Sequence, residues 1–210
     1  MQIAVLLYDR VTALDAIGPY EILSRLPGAS LVFVGAAAGP VRTDTGRLTL
    51  VAEASWDEVP APDLVLVPGS PAAPTAPGPL QDWLRSADES TTWTTSVCTG
   101  SLALAAAGLL TGRRATSHWL ALPRLADFGA VPVSSRVVVD GKYATAAGVS
   151  AGLDLALDLA ARIAGVEVAQ TIQLAIEYDP EPPFSAGSPR TAPPAIVAAL
   201  RARPHLVLDA

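Results

Sequence analysis

The sequence predicts an α/β protein: a three-layer sandwich with a mostly parallel central sheet. Two observations support this. Short continuous apolar runs alternate along the chain with longer segments of helical periodicity, the pattern of βα units whose strands are covered on both faces. A β-branched run at residues 91–97 leads through a single cysteine, Cys98, into an Ala/Leu-rich segment at 101–110, so the cysteine falls at a strand-to-helix corner, a nucleophile elbow. The 210 residues are half hydrophobic and only 16% charged, with no Pro/Gly/Ser-rich linker, which indicates one domain over 1–210.

Residues 3–8 read as a first buried strand. The following helix, 12–26, carries Pro19, which is expected to end or kink it near Gly18 and leave Asp15 in a short turn past the first strand tip. Ligands of open α/β sheets bind at the carboxyl ends of strands. Asp15 is therefore a candidate acid or base, or equally the cap of the helix resuming at Gly18. Residues 31–35 form a second core strand, and 41–43 with 47–51 a hairpin outside the main sheet. The third core strand, 63–67, runs into Pro68-Gly69-Ser70. The Gly69 and Ser70 amides are expected either to stabilise developing negative charge or simply to form a tight turn. Residues 79–87 form a crossover helix before the Cys98 strand.

Beyond the cysteine helix, 114–116 reads as a short strand and 117–126 as a helix opening at Ser117-His118. His118 can be a general base, a hydrogen-bonding partner or a structural plug. Residues 136–139 and 143–145 flank Asp140-Gly141, a type I′ hairpin signal. Gly148 and Val149 open a second strand-to-helix junction whose amides are placed to face the cysteine, ahead of helices at 151–164 and 166–178. The proline-rich loop 179–189 suits a cover over a site or an interface, and 195–202 a last helix.

At its corner, Cys98 is expected to receive the free N–H groups of Thr99, Gly100 and Ser101, which would favour the thiolate, with Gly100 leaving room for a small substrate. Thiols at helix N-termini titrate from about 3.5 to 7.5 instead of about 8.5. Composition excludes other chemistries. A net charge of −6 with 14 scattered Lys/Arg argues against nucleic acid. Two histidines and no Cys/His cluster argue against a metal, and no apolar run is long enough for a membrane span. One cysteine and no signal-like N-terminus point to the cytoplasm. The tryptophans at 56, 83, 93 and 119 either line an apolar pocket or fill the core, with core the first expectation.

LDAIGP (14–19), VPGS (67–70), SVCTGSLALAAAGLL (96–110), ATSHW (115–119) and AGVSAGLD (147–154) together resemble the DJ-1/PfpI superfamily, also called class I glutamine-amidotransferase-like, over nearly the whole chain. QLAIEYDPEPPFSAGSP (173–189) is similar to the tail of its isonitrile hydratase group. That resemblance implies a cofactor-free homodimer adding water to a small-molecule isonitrile, R–N≡C, to give an N-substituted formamide. It implies Cys98 as nucleophile, Asp15 as acid/base and Thr99 as a supporting hydroxyl, with Gly69, Ser70, His118, Gly148 and Val149 around the substrate. The chain departs from the superfamily pattern where a glycine pair often follows the third strand and here reads Gly69-Ser70, and where the later helix is approached through Ala146-Ala147-Gly148. Protease and glyoxalase-type members commonly carry a glutamate after the first strand; Asp15 in its place favours the hydratase branch. The alternatives are a regulator or redox sensor using oxidisable Cys98, and a glyoxalase-like or amide-hydrolysing enzyme.

Overall fold

The computed structural model describes residues 1–204 and 207–208. The elements, in chain order, are β1 (Gln2–Leu6), α1 (Ala13–Leu23), β2 (Ser30–Gly35), β3 (Gly39–Arg42), β4 (Thr49–Ala52), β5 (Ala54–Ser55), β6 (Leu64–Val67), α2 (Pro79–Asp88), β7 (Trp93–Val97) and α3 (Gly100–Ala106). There follow β8 (Arg114–Ala115), β9 (Val131–Pro132), β10 (Val137–Asp140), β11 (Tyr143–Ala146), α4 (Ala151–Ala164), α5 (Val166–Ala175) and α6 (Pro194–Arg201). Single 3-10 segments cover Trp56–Glu58 and Leu122–Phe128.

Seven strands form the main sheet in the order β10-β11-β7-β6-β1-β2-β5, parallel throughout except for the β10–β11 hairpin at one edge. Alternation along β1 divides the interior. Ile3 and Val5 face a core shared with Ile22 of α1, Leu155 and Leu159 of α4 and Ile172 of α5. Ala4 and Leu6 face the opposite core, with Leu80 and Leu84 of α2 and Leu102 and Leu104 of α3. The period of two in a strand thus requires a helical layer on each side, and the predicted three-layer sandwich is what forms. The β3–β4 hairpin lies outside the main sheet, as expected.

Three expectations are corrected. α1 runs unbroken through Pro19, which is buried, so Asp15 sits in the first helical turn and not in a preceding loop. The proline forfeits one i to i−4 bond, but its ring packs on Gly152 of α4, where burial offsets that loss. Residues 117–118 are irregular and 119–121 form a turn, and the helical structure in this stretch is the 3-10 segment from Leu122, because Pro123 lies at its start. α3 ends at Ala106, short of the predicted 110. Of the tryptophans, Trp56 and Trp83 stack in the interior with ring centroids 6.5 Å apart, and Trp93 packs against the first core, whereas Trp119 lines a cavity.

Candidate active site

The site assembles at the carboxyl ends of β1, β6, β7 and β11, where a parallel sheet leaves its strand-to-helix connections. Cys98 joins β7 to α3 with φ at +59°, a conformation that L-residues adopt only under constraint and that lifts the side chain off the sheet. Its backbone is held on every side. Its N–H donates to the Ala146 and Ala147 carbonyls at 3.1 Å, and its carbonyl accepts from Ser117 Oγ at 3.0 Å and Ser101 Oγ at 3.1 Å.

Asp15 and Thr99 flank the sulfur, and all three residues are buried. The tie between them is the Gly69–Ser70 turn after β6. Gly69 N–H donates to Asp15 Oδ2 at 2.9 Å, and Ser70 N–H donates to Thr99 Oγ1 at 2.8 Å, which donates back to the Ser70 carbonyl at 2.7 Å. A Cβ on Gly69 would come within 2.6 Å of Asp15 Oδ2, 2.7 Å of Thr99 Oγ1 and 2.8 Å of Cys98 Cβ, so only glycine fits at this point of convergence. Of the two expectations for the Gly69 and Ser70 amides, the structure has the tight turn: each amide already has a side-chain acceptor, and together they position the Asp15 carboxyl and the Thr99 hydroxyl.

The donors that reach the sulfur are instead the backbone N–H groups of Val149 and Thr99. Val149 stands at the second strand-to-helix junction, ahead of α4, with φ of +20°. This is the junction singled out in the sequence. Their effect on the thiol is nevertheless outweighed. Burial first, then the Asp15 charge, push Cys98 well above the ordinary thiol value, so the predicted depression is overturned. Asp15 itself is raised to about 7, mainly by burial, against the Gly69 N–H and the Cys98 thiol that favour its ionised form. Its Oδ1 closes no regular hydrogen bond with the described residues; the thiol acts on this carboxyl's titration without occupying that oxygen. Cys98 and Asp15 thus form a pair that holds one proton above about 7 and a second below it.

Tyr8, read from the sequence only as strand, is the member of the site that was missed. Its hydroxyl donates to the Pro68 carbonyl at 2.5 Å, and burial together with Asp15 and Cys98 holds the phenol well above its usual value. A polar aromatic one residue past an apolar strand is the signal that was available. Gly100 does not make room for substrate, as expected from sequence, but for the backbone of β6, since a Cβ there would meet the Val67 carbonyl.

His118 lies against Gly148 at the rim of a cavity of about 390 Å³. Its Nδ1 accepts from Leu120 N–H at 3.3 Å, which puts the proton of the neutral ring on Nε2, and burial lowers its pKa to about 4, so the ring stays neutral at working pH. Gly148, Val149 and Ser117, which adjoin Cys98, form one wall of this cavity; the 187–190 segment of the proline-rich loop forms another. The loop therefore covers this cavity, whose lining includes neither Cys98 nor Asp15. Among the described residues, no group of three His, Cys, Asp or Glu side chains is placed to hold a metal ion, and no helix is long and apolar enough to cross a membrane.

The profile of the DJ-1/PfpI family matches residues 1–162. The chain belongs to the DJ-1/PfpI family. Within that family, it is 44% identical over 216 residues to an isonitrile hydratase of Pseudomonas putida, an alignment covering 99% of this chain and 92% of that protein. It superposes on a ThiJ/PfpI family protein of Pseudomonas syringae with a TM-score of 0.94 at 38% identity, covering 98% of this chain and 86% of the other. An HTH-type transcriptional regulator of Pseudomonas aeruginosa, CdhR, is 34% identical over 140 residues, 65% of this chain but only 41% of the regulator. The first of these alignments sets this DJ-1/PfpI member beside a hydratase over nearly its whole length, and the second matches its fold over a similar extent.

Proposed function

We propose that this protein is an isonitrile hydratase that converts R–N≡C and water to R–NH–CHO through a covalent intermediate on Cys98. The reaction type is supported by the 44% identity to an isonitrile hydratase across 99% of the chain. The observation that carries the mechanism is the buried Cys98–Asp15 pair, with the carboxyl raised to about 7. In the first half-reaction Sγ bonds to the isonitrile carbon, and the thiol proton passes through Asp15 to that same carbon, giving the thioimidate R–N=CH–S. In the second, Asp15 takes a proton from water as its oxygen bonds to the carbon; the C–S bond then breaks and sulfur and nitrogen end protonated. Val149 and Thr99 N–H groups stabilise sulfur whenever it bears charge. Thr99 contributes through its amide, its hydroxyl being engaged by Ser70. The decisive test is formamide production from a simple alkyl or aryl isonitrile by purified protein; no product would refute the reading.

The titration of the pair sets the pH dependence. The active free enzyme carries one proton on the pair, on sulfur with Asp15 ionised or the reverse. Below the Asp15 value of about 7 a second proton binds, so kcat/KM falls as pH drops through that value and is level above it. Asp15→Asn should remove this limb and lower activity by about 10²- to 10⁴-fold. A rate profile that stays level across the range in which Asp15 titrates would contradict the role.

The same reading places the enzyme in the cytoplasm as a homodimer without a cofactor, acting on a small molecule and not on nucleic acid. Support for self-association is the exposure of Val166 and Leu174 on α5, of Ile196 on α6 and of Phe184 between them. Light scattering should give twice the monomer mass of 21.5 kDa, and a monomer at micromolar concentration would refute it.

A further inference from the structure

The cavity beside the catalytic pair also constrains the organic group of the substrate. Cys98 and Asp15 do not line the space of about 390 Å³, but Val149, whose N–H reaches the sulfur, does, so an R group carried past Val149 would enter it; the volume suits an aryl ring or short alkyl chain. Leu14, Trp119 and Leu122 give it an apolar side. The rest of the lining mixes small and apolar residues with hydroxyls, His118, Arg136 and Arg190, and contains no Asp or Glu.

The two cations there differ. Arg136 pairs with Asp154, and Asp154 also accepts from Tyr178 Oη at 2.7 Å, so its charge is already answered. The Arg190 guanidinium has no carboxylate or carbonyl partner among the described residues; only its backbone N–H is engaged, with Ser188 Oγ at 3.2 Å. His118 adds a second open donor, because its Nδ1 accepts from Leu120 and its protonated Nε2 has no partner among the described residues. The Ser134 hydroxyl is a third. A purely hydrocarbon R group would cover these donors without replacing the water they lose, whereas a carboxylate would satisfy both the guanidinium and the uncharged donors.

We propose that the preferred substrate is an isonitrile whose organic group ends in a carboxylate, read by Arg190 with His118 Nε2–H, both of which line the cavity. The inference rests on the hydratase reading and adds the class of R group. It is tested with 4-isocyanobenzoate and its methyl ester, which differ only in the charge of the tail, using the full-length protein and the variants Arg190→Gln and Arg190→Lys. The wild-type enzyme should favour the acid by about tenfold or more in kcat/KM, chiefly through KM. That ratio should collapse towards one in Arg190→Gln, recover in part in Arg190→Lys, and shrink with added salt because Arg190 is exposed. Equal turnover of acid and ester by the wild type, or a ratio untouched by Arg190→Gln, overturns the tail assignment while leaving the hydratase intact. Hydration of neither compound overturns the hydratase reading and this inference with it.

Discussion

Cys98→Ala should reduce formamide production below detection while leaving a folded protein. Alanine keeps the Cβ that already tolerates φ of +59°, and the variant loses one sulfur from a site held by Gly69, Thr99 and Ser117 backbone and hydroxyl contacts that do not involve it. Folding is therefore preserved and the chemistry is removed. Without sulfur, water would have to attack the isonitrile directly, with Asp15 protonating carbon. General acid help alone is worth about 10²- to 10⁴-fold, and the donors from Val149 and Thr99 would have no charge to stabilise. The loss should also appear in intact mass. Because the thiol proton is retained on carbon, wild-type protein quenched during turnover should gain the whole mass of the isonitrile, and Cys98→Ala none. Turnover retained in the alanine variant would exclude the covalent route.

The high thiol value fits this chemistry. A cysteine already ionised in the resting enzyme would have no proton to give to the isonitrile carbon. Here the pair stores that proton, and Asp15, poised near 7, can carry it in either direction. The amides at sulfur then act on the charge that develops during transfer and on the thiolate that leaves the intermediate. Burial and hydrogen bonding are thus opposed on one atom, and burial prevails.

Much of this was legible in the sequence because the responsible forces are local. The runs ending at Leu6 and Val67 are apolar since both sheet faces are covered, the run ending at Val97 is rich in β-branched residues, and Cys98 follows it directly. What escaped detection depends on partners distant in sequence. Pro19 reads as a break, yet Gly152, more than a hundred residues on, gives its ring a seat. The Gly69 and Ser70 amides look free until Asp15 and Thr99 are brought against them. The elevated thiol value arises from desolvation, which no pattern of flanking residues records. The unpaired charge of Arg190 becomes visible only when its loop is placed over the cavity.

Gly100→Ala is expected to have the largest effect on stability, and the reason links the fold to the site. A Cβ at Gly100 would lie 2.0 Å from the Val67 carbonyl oxygen, 2.7 Å from that of Pro68 and 2.8 Å from the Val67 carbonyl carbon. All three are backbone atoms, so no side-chain rotation relieves the clash. Either α3 must withdraw from β6 or the end of β6 must move. β6 is bonded on both sides, to β1 and to β7, and its last residues lead directly into Gly69. Overpacking in a core costs about 1–3 kcal/mol where side chains can adapt. With rigid backbone on both sides, the upper end of that range is the expectation, which for a chain of this size lowers Tm by roughly 6–12 °C. Any movement that relieves the clash also separates Gly69 from Asp15 and Thr99, so activity should fall below what the surviving folded fraction predicts. Circular dichroism melting beside a specific-activity measurement separates the two effects. Wild-type stability in Gly100→Ala would show that the contact between α3 and β6 is not what holds Cys98 against its acid.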